Sequence, residues 1–136
     1  MNFYKSHFKN KTVLITGHTG FKGSWLTSIM LFMEAKIVGV SIDCYKNSHF
    51  NLNNLSKKII DIRVDIRNFK KLQKIILKYK PDYIFHLAAQ SLVLKSYDYP
   101  IRTWSTNVLG TLNLLESLKK YKKKCNVIII TSDKCY

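Results

Sequence analysis

The sequence has few of the residues that form covalent or metal cross-links. Its 136 residues include three cysteines, Cys44, Cys125 and Cys135, an odd number without a Cys-x-x-Cys pair. The four histidines also lack the spacing of metal ligands: His7, His18, His49 and His86. We therefore expect reduced thiols, no disulfide framework and no metal site.

Long apolar runs are also missing from the sequence. No stretch approaches the ~18 consecutive apolar residues of a membrane-spanning helix, and residues 1–11 lack the apolar segment of a secretory signal. We expect a cytoplasmic protein without a membrane span. At this length, with 46% hydrophobic residues, the chain has enough apolar side chains for one core.

Acidic residues are few, 8 against 23 lysines and arginines, for a net charge of +15. Such a balance is typical of nucleic-acid binding, but the lysines are spread along the chain. Their densest run, residues 119–124, is predicted at the end of a helix, where cations stabilise the helix dipole. We expect no nucleic-acid partner, and a charge that aids solubility and attracts an anionic substrate.

Three of the five glycines stand close together, at positions 17, 20 and 23, directly after the apolar residues 13–15. Spaced in this way between a strand and a helix, Gly17, Gly20 and Gly23 permit a tight turn, a close approach of the backbone to a pyrophosphate, and close helix packing. The remaining loop residues expected to bind the ligand are Thr19, Phe21 and Lys22. The predicted ligand is a dinucleotide, and the alternative is an ordinary turn.

An acidic residue stands at the end of the second predicted strand, residues 37–40. Asp43 lies twenty residues after Gly23, about where a carboxylate bonds the adenosine ribose in NAD sites. The alternative is a loop carboxylate in water.

The rest of the chain alternates between strands and helices. Further strands are predicted at residues 59–64, 83–87 and 126–131, and residues 46–58 are predicted to form a surface loop. One helix follows the glycines with an apolar stripe at Trp25, Leu26, Ile29, Met30 and Met33. A second is predicted from the N-cap Asn68 to Lys80. A third begins at Pro100, with a stripe at Ile101, Trp104, Val108, Leu112, Leu115 and Leu118.

This alternation predicts an α/β fold, a Rossmann-like doubly wound parallel sheet with its ligand at the carboxyl ends of the strands. Residues 1–136 would form a dinucleotide-binding domain. Because such sheets normally continue beyond a fifth strand, we expect the chain to be the N-terminal part of a larger fold or a truncated product.

Three groups of residues near predicted strand ends bear on chemistry. Asn107 lies on the same helix stripe as Trp104, Val108 and Thr111, so its side-chain amide is expected to face the sheet. A buried amide requires hydrogen bonds. Its role would be either structural or that of organising an active site. The segment Ala88-Ala89-Gln90 begins with two small residues, which would allow either a flat cofactor to pass close to the backbone or a helix to pack closely against it. The run Ser132-Asp133-Lys134 stands at the end of the fifth strand. It is interpreted either as a set of catalytic groups or as a surface ion pair.

Five segments together carry a resemblance: residues 17–26, 86–90, 96–100, 107–111 and 131–136. They resemble the family of CDP-glucose 4,6-dehydratases, within the extended short-chain dehydrogenase/reductases. The resemblance implies NAD bound at the three glycines, with Asp65 and Ile66 beside the adenine and Ala88, Ala89, Gln90 and Asn107 along the cofactor. It also implies a nucleotide-sugar substrate, CDP-glucose, a homo-oligomeric full-length form, and a role in making deoxysugars for surface polysaccharide such as O-antigen.

The implied reaction oxidises the glucose C4 hydroxyl, eliminates water across C5 and C6 and returns the hydride to C6. By position, Ser132 would bond the C4 oxygen, Asp133 would protonate the departing C6 hydroxyl and Lys134 would remove the C5 proton. The family's Tyr-x-x-x-Lys pair would lie downstream of residue 136, so we expect this portion to be inactive alone. A sugar-nucleotide 4-epimerase and a non-catalytic NAD-binding module are the alternatives.

Overall fold

The computed structural model describes residues 2–131, with only the backbone described for residues 2 and 3. Five strands lie at Thr12–Thr16 (β1), Lys36–Ser41 (β2), Ile60–Arg63 (β3), Tyr83–His86 (β4) and Asn126–Ile129 (β5). Seven α-helical segments lie at Asn2–Phe8 (α1), Phe21–Phe32 (α2), His49–Leu52 (α3), Phe69–Tyr79 (α4), Val93–Asp98 (α5), Pro100–Trp104 (α6) and Gly110–Leu118 (α7). A 3-10 turn spans Leu55–Lys57, and a π-turn at Ser105–Leu109 joins α6 to α7.

All the strand pairs are parallel, and the strand order is β3-β2-β1-β4-β5. In the register, Thr16 at the end of β1 lies between Val40 on β2 and His86 on β4. The carboxyl ends of these three strands therefore meet at one edge of the sheet. The predicted Rossmann-like sheet is confirmed.

The core lies on both faces of the sheet, because the central strands are apolar at consecutive positions. Leu14 belongs to one apolar cluster, with Leu72 and Ile76 of α4 and Leu114 of α7. Its neighbours Val13 and Ile15 point to the other face, in a cluster that includes Met30 of α2. Side chains thus alternate between two helical layers along one buried strand.

Helix α4 follows its sequence signals closely. Asn68 caps it by accepting from the Lys71 N–H at 3.1 Å, and Leu72 and Ile76 are buried. The helix ends at Lys80, whose φ of 47° is left-handed. The predicted cap and helix are confirmed.

The predicted buried faces of the other two helices are partly wrong. Helix α2 buries Gly23, Ser24, Thr27 and Met30, whereas Trp25 and Ile29 are about half exposed. In the predicted third helix, the exposed members of the stripe are Ile101, Trp104, Val108, Leu112 and Leu115. Small residues allow these helices to pack closely against neighbouring elements. Because such residues are weakly hydrophobic, they add little to the hydrophobic periodicity of the sequence.

The predicted loop at residues 46–58 is also wrong. It contains α3 and the 3-10 turn, and it buries Phe50 and Leu55. Ser48 begins α3 by accepting from the Asn51 N–H at 3.3 Å. Elements of three or four residues are too short to show a hydrophobic period.

Candidate functional site

The glycine loop joins β1 to α2, and its first glycine makes the turn. Gly17 has a φ of +73°, and a Cβ there would lie 2.8 Å from the Ala88 backbone nitrogen. Its N–H donates to the Val40 carbonyl at 2.8 Å, which fixes the loop against β2. A side chain at position 17 would therefore meet both backbone strain and the backbone after β4.

The other two glycines differ in what surrounds them. A Cβ at Gly23 would overlap the Gly17 carbonyl, so this glycine lets α2 start against the loop. A Cβ at Gly20 would contact only the Gly17 oxygen, at 3.3 Å, and Gly20 is exposed. Gly20 is the N-cap of α2 and provides no side-chain cap, so no side chain at this position accepts from the first-turn N–H groups. This cradle fits an anionic pyrophosphate.

Phe21 and Lys22 lie exposed in the first turn of α2, while Thr19 is buried. The Thr19 hydroxyl donates to the Asp43 carbonyl at 2.5 Å and lies 2.7 Å from the Ser41 hydroxyl. It thus ties the loop to the end of β2. Contact of these three residues with a cofactor stays a prediction.

Asp43 lies exposed just after β2, beside the glycine loop. One oxygen of its carboxylate accepts from the Cys44 N–H at 2.7 Å. The carboxylate is therefore at the carboxyl edge of the sheet, as the sequence predicts, and its bond to a ribose stays a prediction.

His18 is a buried residue of the loop whose role the sequence analysis did not identify. Its Nε2 lies 2.9 Å from Asp61 Oδ1 on β3, and its Nδ1 is buried without a hydrogen-bond partner. Burial lowers the pKa of His18, and the nearby Asp61 carboxylate opposes this shift. A neutral ring that donates from Nε2 to Asp61 accounts for the contact.

Asp65 and Ile66 follow β3 at the same edge of the sheet. The Asp65 carboxylate pairs with Arg67 at 2.6 Å, and the hydrogen bonds from Arg67 lower the pKa of Asp65. Ile66 is buried, and its side chain occupies the space that a Cβ at Gly110 would need. Their place beside an adenine stays a prediction.

The segment after β4 is held by Asn107. The Asn107 side chain accepts from the Gln90 N–H at 2.8 Å and donates to the Gln90 carbonyl at 3.1 Å. The predicted hydrogen bonding of this amide is confirmed, although its partner is the segment of Ala88, Ala89 and Gln90 and its predicted stripe neighbour Trp104 is exposed.

A buried histidine links the same segment to the sheet. His86 Nδ1 lies 2.7 Å from the Thr16 hydroxyl, and Nε2 lies 3.0 Å from the Thr111 hydroxyl. Because Thr111 donates to the Asn107 carbonyl at 2.7 Å, it accepts from His86 Nε2–H. Burial lowers the pKa of His86 to about 4, so the ring is neutral near pH 7. Thr16 also accepts from the Ala88 N–H at 3.2 Å.

The structure therefore brings most of the predicted cofactor residues to one edge of the sheet. Gly17 contacts the segment that begins at Ala88, Thr19 contacts Asp43, and Asn107 contacts Gln90. The predicted catalytic residues Ser132, Asp133 and Lys134 lie outside the described residues. Within residues 2–131, no group of three His, Cys, Asp or Glu side chains is placed to hold a metal ion, and no helix is long and apolar enough to cross a membrane.

A parallel sheet with a glycine cradle at the end of its first strand defines a Rossmann-type nucleotide-binding fold. The chain belongs to the GDP-mannose 4,6 dehydratase family, whose family model matches residues 14–136. Proteins similar to it are nucleotide-sugar dehydratases and epimerases.

Two curated relatives and one solved structure illustrate the similarity. CDP-glucose 4,6-dehydratase of Salmonella typhimurium is 45% identical over 97% of this chain. CDP-paratose 2-epimerase of Salmonella typhi is 38% identical over 91% of it. In both cases the chain spans 37% of the relative's length.

The solved structure is a UDP-glucose 4-epimerase from Thermus thermophilus in complex with NAD. It is 29% identical, with a TM-score of 0.70 over 81% of this chain and 34% of that one. The cofactor named there is the one that the sequence analysis predicts.

Proposed function

We propose that this chain forms the NAD-binding part of a CDP-glucose 4,6-dehydratase. The observation that carries the NAD assignment is the contrast between the glycines. Packing requires Gly17 and Gly23, whereas Gly20 is exposed at the start of α2 and a Cβ there would meet only the Gly17 oxygen. A pyrophosphate suits this exposed helix N-terminus because helix N–H groups and the helix dipole favour an anion. When bound, NAD would accept and return a hydride.

The surrounding residues supply the rest of the dinucleotide site. The exposed Asp43 carboxylate would bond the adenosine ribose, and Asp65 and Ile66 would lie beside the adenine. The segment 88–90 would run along the cofactor, held in place by Asn107.

Two observations support dehydration as the reaction. The chain is 45% identical to a CDP-glucose 4,6-dehydratase, and its sequence places Asp133 and Lys134 together. Elimination of water requires a proton donor at the C6 hydroxyl and a base at C5, which this pair would provide, while Ser132 would bond the C4 oxygen. The net charge of +15 suits an anionic nucleotide sugar.

The second candidate is a sugar-nucleotide 4-epimerase. It is favoured by the NAD-bound UDP-glucose 4-epimerase at 29% identity. Epimerisation needs no acid and base for elimination, so the products distinguish the two functions.

Cofactor binding is tested by calorimetric titration of the chain with NAD⁺. We expect saturable binding, and its absence in a folded sample would remove the NAD assignment.

The reaction is tested in a chimaera that joins residues 1–136 to the remainder of the Salmonella typhimurium relative. With CDP-glucose we expect a 4-keto-6-deoxy product, and Asp133→Asn should slow its formation by about 10²–10⁴-fold. A chimaera that binds NAD⁺ but forms only the C4 epimer would support the second candidate instead.

A further inference from the structure

The glycine loop reaches β3 through His18. The ring of His18 occupies the space left by Gly39, where a Cβ would overlap it, and meets the Phe50 ring edge-on at 5.0 Å between centroids. From this buried position Nε2 contacts Asp61 Oδ1 at 2.9 Å. The loop itself therefore fixes the orientation of the Asp61 carboxylate.

The second oxygen of that carboxylate holds Arg63. Arg63 Nη2 lies 2.7 Å from Asp61 Oδ2, and Nη1 donates to the Asp43 carbonyl at 3.1 Å. The guanidinium carbon lies 5.7 Å from the centre of the Phe50 ring. Three partners thus hold the Arg63 side chain at the carboxyl ends of β2 and β3.

This position has consequences for the adenosine end of a dinucleotide. NADP differs from NAD by a phosphate on the ribose 2′ oxygen, and an arginine near the ribose accommodates that phosphate where NADP is bound. Arg63 contacts the backbone of Asp43, the residue proposed to bond the ribose. Each of its two terminal nitrogens is nevertheless held in place, Nη2 by Asp61 and Nη1 by the Asp43 carbonyl, and the Asp43 carboxylate would repel a phosphate.

We propose that Asp61, oriented by His18, restrains Arg63 and thereby makes the site select NAD over NADP. This inference rests on the proposed function, because it takes Asp43 as the residue at the ribose. Asp61 is a positioning residue in this scheme: it determines cofactor choice through Arg63 and touches no cofactor atom.

Asp61→Asn separates the two contacts of the carboxylate. The amide oxygen still accepts from His18, whereas the amide nitrogen cannot accept from Arg63. We expect the affinity for NADP⁺ relative to NAD⁺ to rise at least about tenfold, since a charge-assisted contact to phosphate becomes available. Calorimetric titration of each cofactor measures the ratio, and circular dichroism verifies folding.

Two further variants identify the cause of any gain in relative NADP⁺ affinity. Adding Arg63→Gln to Asp61→Asn should abolish that gain. Glu34→Gln is the matched control for net charge, because Glu34 pairs with Lys5 and Lys9 at the opposite end of β2. It should leave the cofactor ratio unchanged.

An unchanged ratio in folded Asp61→Asn would overturn the inference, as would a gain that survives in the double variant. If Asp61→Asn does not fold, Arg63→Gln alone decides. The inference requires NADP⁺ affinity within about twofold of wild type, and a tenfold loss would show that Arg63 already binds the phosphate. Wild type that binds no NAD⁺ would remove the proposed function and this inference together, whereas NAD⁺ binding with an unaltered ratio removes the inference alone.

Discussion

The side chain of Asn107 forms hydrogen bonds with both the backbone N–H and the backbone carbonyl of Gln90. It accepts from the Gln90 N–H at 2.8 Å and donates to the Gln90 carbonyl at 3.1 Å. Since β4 ends at His86, Gln90 lies beyond the strand, and Asn107 supplies bonds that a neighbouring strand would otherwise make. A helix side chain thus sets the path of the backbone along the proposed cofactor.

Asn107→Asp tests this arrangement. The carboxylate keeps an acceptor for the Gln90 N–H but loses the donor and faces the Gln90 carbonyl with negative charge. We expect the free energy of unfolding in urea to fall by about 1–3 kcal/mol, and calorimetry to show weaker NAD⁺ binding.

Asn53→Asp is the control for this change. The Asn53 side chain donates one exposed hydrogen bond to the His49 carbonyl at 2.9 Å, so loss of this hydrogen bond should cost less than about 0.5 kcal/mol. Equal effects of the two substitutions would contradict a special role for Asn107.

The three glycines are expected to differ when each is replaced by alanine. Gly20→Ala should keep the fold, because its φ of −70° is ordinary and its one close contact, with the Gly17 oxygen at 3.3 Å, is relieved by a small shift. It should nevertheless weaken NAD⁺ binding by placing a methyl group in the cradle. Gly17→Ala and Gly23→Ala should lower the melting temperature, since their Cβ atoms would strike backbone. Thermal denaturation and calorimetry together measure both effects. Normal NAD⁺ binding by Gly20→Ala would place the pyrophosphate elsewhere.

Acid should weaken the fold in two stages. His86 has a pKa of about 4 in the folded protein against an ordinary 6.5, so between these values the unfolded state binds more protons. Stability from the neutral His86 is therefore complete above pH 6.5 and lost as the pH falls to about 4, on the order of 3 kcal/mol. His18, with a lowered pKa, acts in the same direction. Urea unfolding at a series of pH values measures this slope.

The carboxylates contribute to the pH dependence of stability at lower pH than the histidines. Lys5 and Lys9 lower the pKa of Glu34 to about 2, and Arg67 lowers that of Asp65, so their contributions are lost only as the pH falls below about 4. His86→Asn should reduce the slope between pH 6.5 and 4 and leave the lower window intact. Identical slopes in variant and wild type would exclude His86 as the titrating group.

The strand positions and the glycine cradle could be predicted because their signals are local. Apolar runs such as residues 13–15 mark buried strands, and the glycines at 17, 20 and 23 follow one of them. The helix faces could not be predicted in the same way. Gly110 and Ser117 are buried while Leu112 is exposed. Gly110 packs against Ile66 where a larger residue would overlap it.

The site was predictable residue by residue but not as a network. Thr19 and Asp43 stand out in the loop and at the strand end, yet the bond between them depends on the register of β1 and β2. The contact of His18 with Asp61 spans 43 positions and needs the empty space at Gly39. No spacing rule within a single sequence reports such a contact.

The π-turn at Ser105–Leu109 bears on how this chain aligns with other sequences. Gly110 donates to the carbonyl of Ser105, five positions back, so the turn holds one residue more than an α-helix would. Deleting that residue would rotate the preceding helical segment by about 100° relative to α7 and carry Asn107 away from Gln90. A homologue with a one-residue gap here must therefore hold the segment after its fourth strand with a different side chain. Such a gap would indicate that its site differs from this one, even where the overall sequence identity is high.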